Sequence, residues 1–433
     1  MKAARSHALR APVVALLSCS FVAACTALLG VDDLPGRASA KDGGPEPPAE
    51  GGADAGIAPG SLDPTFGHHG VAIVPGAFPS QAAWVIADGD DLVLLVLSDQ
   101  PTLRAIRCSG DGVCDTAHPA TLFVGQSAND VLATAATVDP SGNGVLVYFK
   151  TRTATGDVIS ANLSRVTRDG RVSVLARDAN LSGSPAVLTA NRTRIVIADV
   201  STDSAALTLL ARLEDGGPDR HFGGDGAVTV QPFVNPSVRG VLAHENGQVV
   251  VAGSESITGP TFWARLSDDG GLDTAFGADG GIGGSSFATD IGALVADDTG
   301  YLLGATRSNA RGVLVRLTRE GRVDPSQWDG GTFLFPSFAN QELAVSNVDA
   351  VTYQRDGAIL ALATAHRPIP GDLAVLVRVR GNELDPHFGQ NGMTVVSDGT
   401  TGTHSLAIQR NGKAVVAWSD RDGSVRVARY VVE

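Results

Sequence analysis

A nine-residue pattern recurs along this chain and leaves little choice of architecture. It reads Leu62-Asp63-Pro64-Thr65-Phe66-Gly67-His68-His69-Gly70 and returns as Leu272-Asp273-Thr274-Ala275-Phe276-Gly277-Ala278-Asp279-Gly280. It stands again at Leu384-Asp385-Pro386-His387-Phe388-Gly389-Gln390-Asn391-Gly392, with a weaker copy at Pro218-Asp219-Arg220-His221-Phe222-Gly223-Gly224-Asp225-Gly226. Aligned on the Asp, seven positions emerge: Asp63, Asp115, Ser173, Asp219, Asp273, Asp324 and Asp385, spaced by 52, 58, 46, 54, 51 and 61 residues. Copies two, three and six are decayed. His118 replaces Phe, Ser173 replaces Asp, and Trp328 sits one place late. A recurrence of this kind implies a repeat array.

The repeats describe a ring. Every copy after the first follows a run ending in Arg (Arg107, Arg165, Arg212, Arg265, Arg316, Arg378), and a seventh such residue, Arg429, comes near the chain end. The first copy therefore lacks its run and the last run lacks its copy, as a closed circle requires. Each unit carries three or four short apolar runs, such as Val71 to Val74, Ala82 to Ala87, Leu92 to Leu97 and Leu103 to Arg107. A polar turn separates the second and third runs in all seven units, among them Asp88-Gly89-Asp90, Glu245-Asn246-Gly247 and Arg410-Asn411-Gly412. Asn-Gly and Asp-Gly supply the positive φ angles of two-residue hairpins. Four short strands per unit, seven times, predict an all-β chain: a β-propeller of seven four-stranded blades over residues 60–433.

Within the pattern, Leu and Phe are four apart and are expected to plug the gap between adjacent sheets together. The Asp is expected to open a turn by accepting a backbone N–H, and the glycines to let the chain reverse. The strand ending in Arg, the Asp-Gly turn and Leu-Asp-x-x-Phe-Gly-x-x-Gly resemble the delta-60 repeat family, bacterial propeller-like repeats. The resemblance covers about residues 60 to 433 and is carried by Leu62, Asp63, Phe66, Gly67, Asp219, Phe222, Gly223, Leu272, Asp273, Phe276, Gly277, Leu384, Asp385, Phe388 and Gly389. It implies a propeller and implies no chemistry.

The N-terminus reads as targeting sequence. Lys2, Arg5 and Arg10 precede an apolar run from Ala11 to Leu17, and Val22-Ala23-Ala24-Cys25 resembles a bacterial lipobox. Residues 1–24 are then a signal peptide, and lipidated Cys25 attaches the chain to a membrane, since two or more acyl chains hold stably. Thr26 after the Cys resembles outer-membrane sorting, to the periplasmic or the surface face. Residues 25–59, rich in Pro and Gly, are a tether with too little apolar surface to fold.

Without residues 1–24, 30 basic residues face 46 acidic ones, a net charge of −16. That sign excludes a nucleic-acid surface, which needs clustered Lys and Arg. Cys108 and Cys114 flank a turn, and an oxidising envelope favours their disulfide.

No linear catalytic motif appears. Gly253-Ser254 and Gly284-Ser285-Ser286 do not complete Gly-x-Ser-x-Gly, and His244-Glu245 ends in Asn246-Gly247 rather than a second His. The acidic turns Asp88-Gly89-Asp90-Asp91 and Asp297-Asp298 do not spell a calcium loop. His68, His69, His118, His221 and His387 belong to different blades. The expectation is a monomeric, non-enzymatic platform for a protein or glycan, with no cofactor or metal. Its binding loops are expected between third and fourth strands, at residues 98–102, 151–157, 254–261 and 366–372. The alternatives are a hydrolase or lyase acting in the central channel, and a purely structural module. A channel-lining carboxylate or His would favour the enzyme.

Overall fold

A computed structural model describes residues 56–74, 80–98, 102–125, 131–152, 158–178, 186–200, 206–230, 236–255, 260–277, 282–285, 288–338, 343–366, 372–398, 404–420 and 422–433. The signal peptide, Cys25, most of the tether and the interiors of the four variable loops lie outside the described residues. Among the described residues, strands and turns build seven antiparallel sheets.

Blade 1 runs Ser80–Asp88, Asp91–Ser98, Thr102–Cys108 and Ala120–Val124, and each later blade repeats that meander. The first strands of blades 2 to 7 are Val131–Val138, Val187–Ala190, Pro236–Ala243, Asp290–Ala296, Leu343–Tyr353 and His404–Ile408. Each touches the first strand of the next blade, and His404–Ile408 touches Ser80–Asp88, so these seven strands surround the axis. The decayed copies sit in complete blades, because the apolar runs and not the signature make the strands. In copy three the signature has itself become the outer strand, Val172–Asp178.

Closure joins the two ends of the repeat region. Blade 7 takes His404–Ile408, Ala414–Ser419 and Val425–Tyr430 from the end of the chain and its outer strand, Val71–Val74, from the beginning. Val71 pairs with Ala428 and Val74 with Val425. The run after each signature thus belongs to the preceding blade. The variable loops consequently join second to third strands, one place earlier than expected from the sequence units.

The hairpins also differ from expectation. Asp88 pairs directly with Asp91 across a two-residue turn. Asn191 N–H to Arg194 O and Asp297 N–H to Gly300 O also close across two residues, whereas in blades 4, 6 and 7 the loop is longer: His244 N–H donates to Gln248 O across three residues, Glu245-Asn246-Gly247. Gly247 holds the positive φ, 83°. This is the three-residue solution, with glycine alone in the left-handed position.

Antiparallel alternation puts these hairpins and all seven signatures on one face of the ring, and the variable loops with the blade-to-blade connections on the other. Between blades the core is aliphatic, with fully buried residues such as Leu94, Val147, Ile197, Val251, Leu303, Leu362 and Val416. Hydrophobic burial of this extent is the main stabilising term.

Candidate functional site

The signature is a latch between blades. Asp63 Oδ1 accepts the Thr65 backbone N–H at 3.0 Å, and Asp219, Asp273, Asp324 and Asp385 do the same two residues on, at 3.0 to 3.1 Å. The turn then drives Phe66, Phe222, Phe276 and Phe388 to full burial. Phe66 packs against Gly112 of the next connector, and Phe276 lies against Gly321, where any Cβ would collide with the ring. The glycine after each Phe hydrogen-bonds the following unit: Gly67 to Asp111 O, Gly223 to Asp269 O, Gly277 to Glu320 O and Gly389 to Pro59 O, all at 2.7 to 2.8 Å. The Leu plugs less than expected: Leu384 is half-buried against the core of its blade, but Leu62 and Leu272 are not. Leu62 and Leu272 are 39% and 36% exposed, because each forms a bridge with the third strand of its blade at the surface.

The strand-ending Arg completes the latch. Arg429 Nε meets Asp63 Oδ2 at 2.7 Å, Arg265 meets Asp273 at 2.7 Å, and Arg378 meets Asp385 at 2.7 Å. Arg429 and Arg265 also lie 4.8 and 4.7 Å over the centres of Phe66 and Phe276, a cation–π contact. In the decayed copies the Arg turns to the hairpin Asp of its own blade instead: Arg107 to Asp88, Arg165 to Asp139 and Arg316 to Asp297. In copy four Arg212 pairs with Asp178, and Arg194 from the hairpin takes Asp219 at 2.6 Å. Burial pushes the Asp63 carboxyl up, but hydrogen bonds from Lys413 and Thr65 and the Arg429 charge hold it at about 2. Blade 1 has lost its plug, and there a Cys108–Cys114 disulfide closes the connector.

These groups are consumed by the fold, so ligand chemistry must be sought elsewhere. Three consecutive inner strands carry a bulge at the same register, where Arg239, Gly292 and Asp349 are each skipped by the pairing ladder. A bulge releases its residue from the alternation of the sheet and re-aims it. Gly292 is obligatory, since a Cβ there would lie 1.9 Å from Val348 O. The middle blade thus places no side chain at the level of Arg239 and Asp349.

The side chains at this level are polar. Asn347 Nδ2 donates to Asp349 Oδ1 at 2.5 Å and Thr364 Oγ1 to Asp349 Oδ2 at 2.9 Å. Ser254 Oγ donates to Asp290 Oδ1 at 3.0 Å, and Thr306 Oγ1 to Asn347 Oδ1 at 2.5 Å. Burial pushes the Asp349 carboxyl up to about 6, assisted by the Asp290 charge and opposed by Thr364, Arg239 and Asn347. The Nε and Nη1 atoms of Arg239 are buried with no hydrogen-bond partner. His404, on the inner strand of blade 7, is brought down to about 4 by burial, and its Nε2 lies 3.1 Å from Ser397 Oγ.

Sequence reasoning missed this cluster. Its signal was present: charged residues interrupt the inner runs of blades 4 to 6, whereas Ala82 to Ala87 and Val131 to Val138 carry none. Another missed group, Lys150 paired with Asp199 at 2.5 Å and with Tyr148 on the same carboxylate, is fully buried between second strands of blades 2 and 3. Burial pushes Asp199 up and Lys150 down there.

Of the signature histidines, the neighbours His68 and His69 touch edge to face with ring centres 4.2 Å apart, His118 meets Asp115, and His221 meets Asp268. Among the described residues no group of three or more His, Cys, Asp or Glu could hold a metal ion.

No family model matches the chain, and no curated protein matches it. Among solved structures it is similar to the BP39L lectin from Burkholderia pseudomallei, with 14% identity and a TM-score of 0.51 over 82% of this chain and 97% of the lectin. It is also similar to the PQQ-bound aldose sugar dehydrogenase from Streptomyces coelicolor, with 12% identity and a TM-score of 0.38 over 84% of this chain and 98% of the enzyme. At such identity the lectin likeness defines the fold alone. The protein is a seven-bladed β-propeller.

Proposed function

We propose that this propeller is a non-enzymatic binding platform, held in a bacterial envelope by lipidated Cys25 and presented on the tether of residues 25–59. The delta-60 resemblance and the lipobox-like Val22-Ala23-Ala24-Cys25 support that setting. The observation that carries the binding reading is the bulged wall of blades 4 to 6. There Arg239, Asn347, Asp290 and Asp349 bring polar groups to the inner strands, while the signature charges are paired with each other. Small polar groups in a partly buried wall suit the hydroxyls of a glycan. The lectin likeness is consistent with this choice.

A second reading, a hydrolase or lyase acting in the channel, draws on the Asp349 carboxyl held at about 6, where an acid can act near neutral pH. One experiment addresses both. Full-length protein and a Cys25→Ser variant are expressed, fractionated and exposed to cell-wall and capsular glycans from the same cells. The platform reading expects wild type in the membrane fraction, the variant released, and saturable retention of one glycan without change in its mass. Cleavage of the retained glycan, abolished in Asp349→Asn, would establish the enzyme instead. A Cys25→Ser protein still in the membrane fraction would overturn the anchor.

A further inference from the structure

Arginine supplies the buried cations of the latches: Arg378, Arg429 and Arg194 each meet a carboxylate inside the fold. Lysine occurs only at Lys2, Lys41, Lys150 and Lys413. Yet the ion pair with no exposed surface at all, between blades 2 and 3, uses Lys150. The choice has chemical content. A guanidinium keeps its proton and is the better buried partner, whereas a desolvated lysine can lose its proton and become a nucleophile.

The surroundings of Lys150 fit that second behaviour. Its Nζ lies 2.5 Å from Asp199 Oδ1, and neither side chain nor Tyr148 is exposed. The Val200 backbone N–H donates to the same Oδ1 at 2.7 Å, and the Tyr148 hydroxyl donates to Oδ2 at 3.1 Å. Tyr148 belongs to an apolar cluster with Leu146, Leu163, Leu188 and Ile197. Charges are costly in such a place. Burial pushes the Asp199 carboxyl up and the Lys150 ammonium down, each opposed by the charge of the other. One proton passed from Nζ to the carboxylate leaves a neutral amine against a carboxylic acid.

We propose that Lys150 and Asp199 condense to an amide, an isopeptide bond that ties blade 2 to blade 3. The Nζ lone pair attacks Cγ of Asp199, and the displaced electron pair collects on Oδ1, where the Val200 N–H holds it. The Cγ–Oδ2 bond then breaks. The departing hydroxyl takes a proton from Tyr148 and leaves as water, and the proton that Nζ sheds restores the Tyr148 hydroxyl. Two buried charges disappear, one water is released and no other reactant is consumed. The bond spans 49 residues of sequence, so a cut between its ends leaves both pieces attached.

The same chain contains a control. Lys413 meets Asp63 at 2.8 Å, but Arg429 shares that carboxylate, which is held at about 2 and so stays ionised and unreactive. That pair remains an ion pair.

Full-length protein would be denatured, digested with trypsin and weighed by mass spectrometry. Trypsin does not cut after an acylated lysine. The expected product is therefore a branched species, residues 108–152 joined to residues 195–212, lighter than the two separate peptides by one water. Cleavage after Lys413 should proceed normally. Lys150→Arg, which keeps the charge but cannot condense, should give no branched species. Tyr148→Phe should slow its appearance after refolding by about a hundredfold.

Recovery of residues 108–150 and 195–212 as separate peptides from the wild type would overturn the proposal. A branched species that persists in Asp199→Ala would overturn it too, since the joint would lie elsewhere. An unchanged rate in Tyr148→Phe would overturn the step assigned to that hydroxyl. Should the variants fail to fold, the wild-type digest decides for or against the bond by itself.

Discussion

At the scale of single residues, the same amino acid has different value in different copies of the repeat. Asp63 is fully buried, receives Arg429 and Lys413, and caps its own turn. Asp115 occupies the same position in copy two, where its side chain is half exposed and meets only His118 and nearby backbone. Removing one partner of a buried pair strands the other charge, so Asp63→Ala should cost about 3–5 kcal/mol. Asp115→Ala should leave stability almost unchanged, as loss of an exposed pair does. Chemical denaturation of both variants checks the contrast.

The titration of Asp63 adds a pH signature. Its folded value of about 2 lies below the ordinary carboxylate value, so its contribution is complete above about 4 and is lost as pH falls towards 2. The stability gap between wild type and Asp63→Asn should close over that window; a gap unchanged down to pH 2 would refute the pairing.

Among elements, the connectors show how a decayed repeat is repaired. Blade 1 has His118 where Phe would plug, and it alone carries the Cys108–Cys114 bond, whose Cα atoms stand 3.9 Å apart across a bridge. Replacing both cysteines by Ser should cost about 2 kcal/mol. Thermal unfolding with and without reductant should show the same loss in wild type and none in the variant.

The strands themselves were legible because apolar runs and turns recur with the signature. The Asp and Phe roles were legible too, since a capping carboxylate and a plug follow from residue type. Leu62 was not, because spacing on one turn cannot tell which side faces a neighbour. Hairpin length escaped as well: Asn246-Gly247 fits either a two- or a three-residue loop. The wall of Arg239, Asp290 and Asp349 stayed hidden because reading it requires knowing which strand is innermost. That depends on inter-blade packing, and a bulge shifts every side chain beyond it to the other face.

For the whole molecule, the ring is held as much by its closure as by its blades. Gly60 N–H donates to Val431 O at 2.7 Å and Val431 N–H to Ser61 O at 3.0 Å, so the two ends of the repeat region are tied beside the paired strands. Deleting residues 60–74 removes the outer strand of blade 7, the Phe66 plug and the Asp63 latch in one step. Calorimetry should then show a broadened transition at lower temperature. Re-attaching the same segment after Glu433 through a flexible linker should restore a single sharp one, and a sharp transition in the deletion itself would show that closure is dispensable.

The order in which the chain is made gives that closure a second meaning. Val71–Val74 is made early, yet its partner Val425–Tyr430 follows some 350 residues later. At ordinary synthesis rates the wait is on the order of tens of seconds. Every product that stops short leaves Val71–Val74 without its ladder and the inner circle open. Only once Val425–Tyr430 has been made can Val71–Val74 find its ladder.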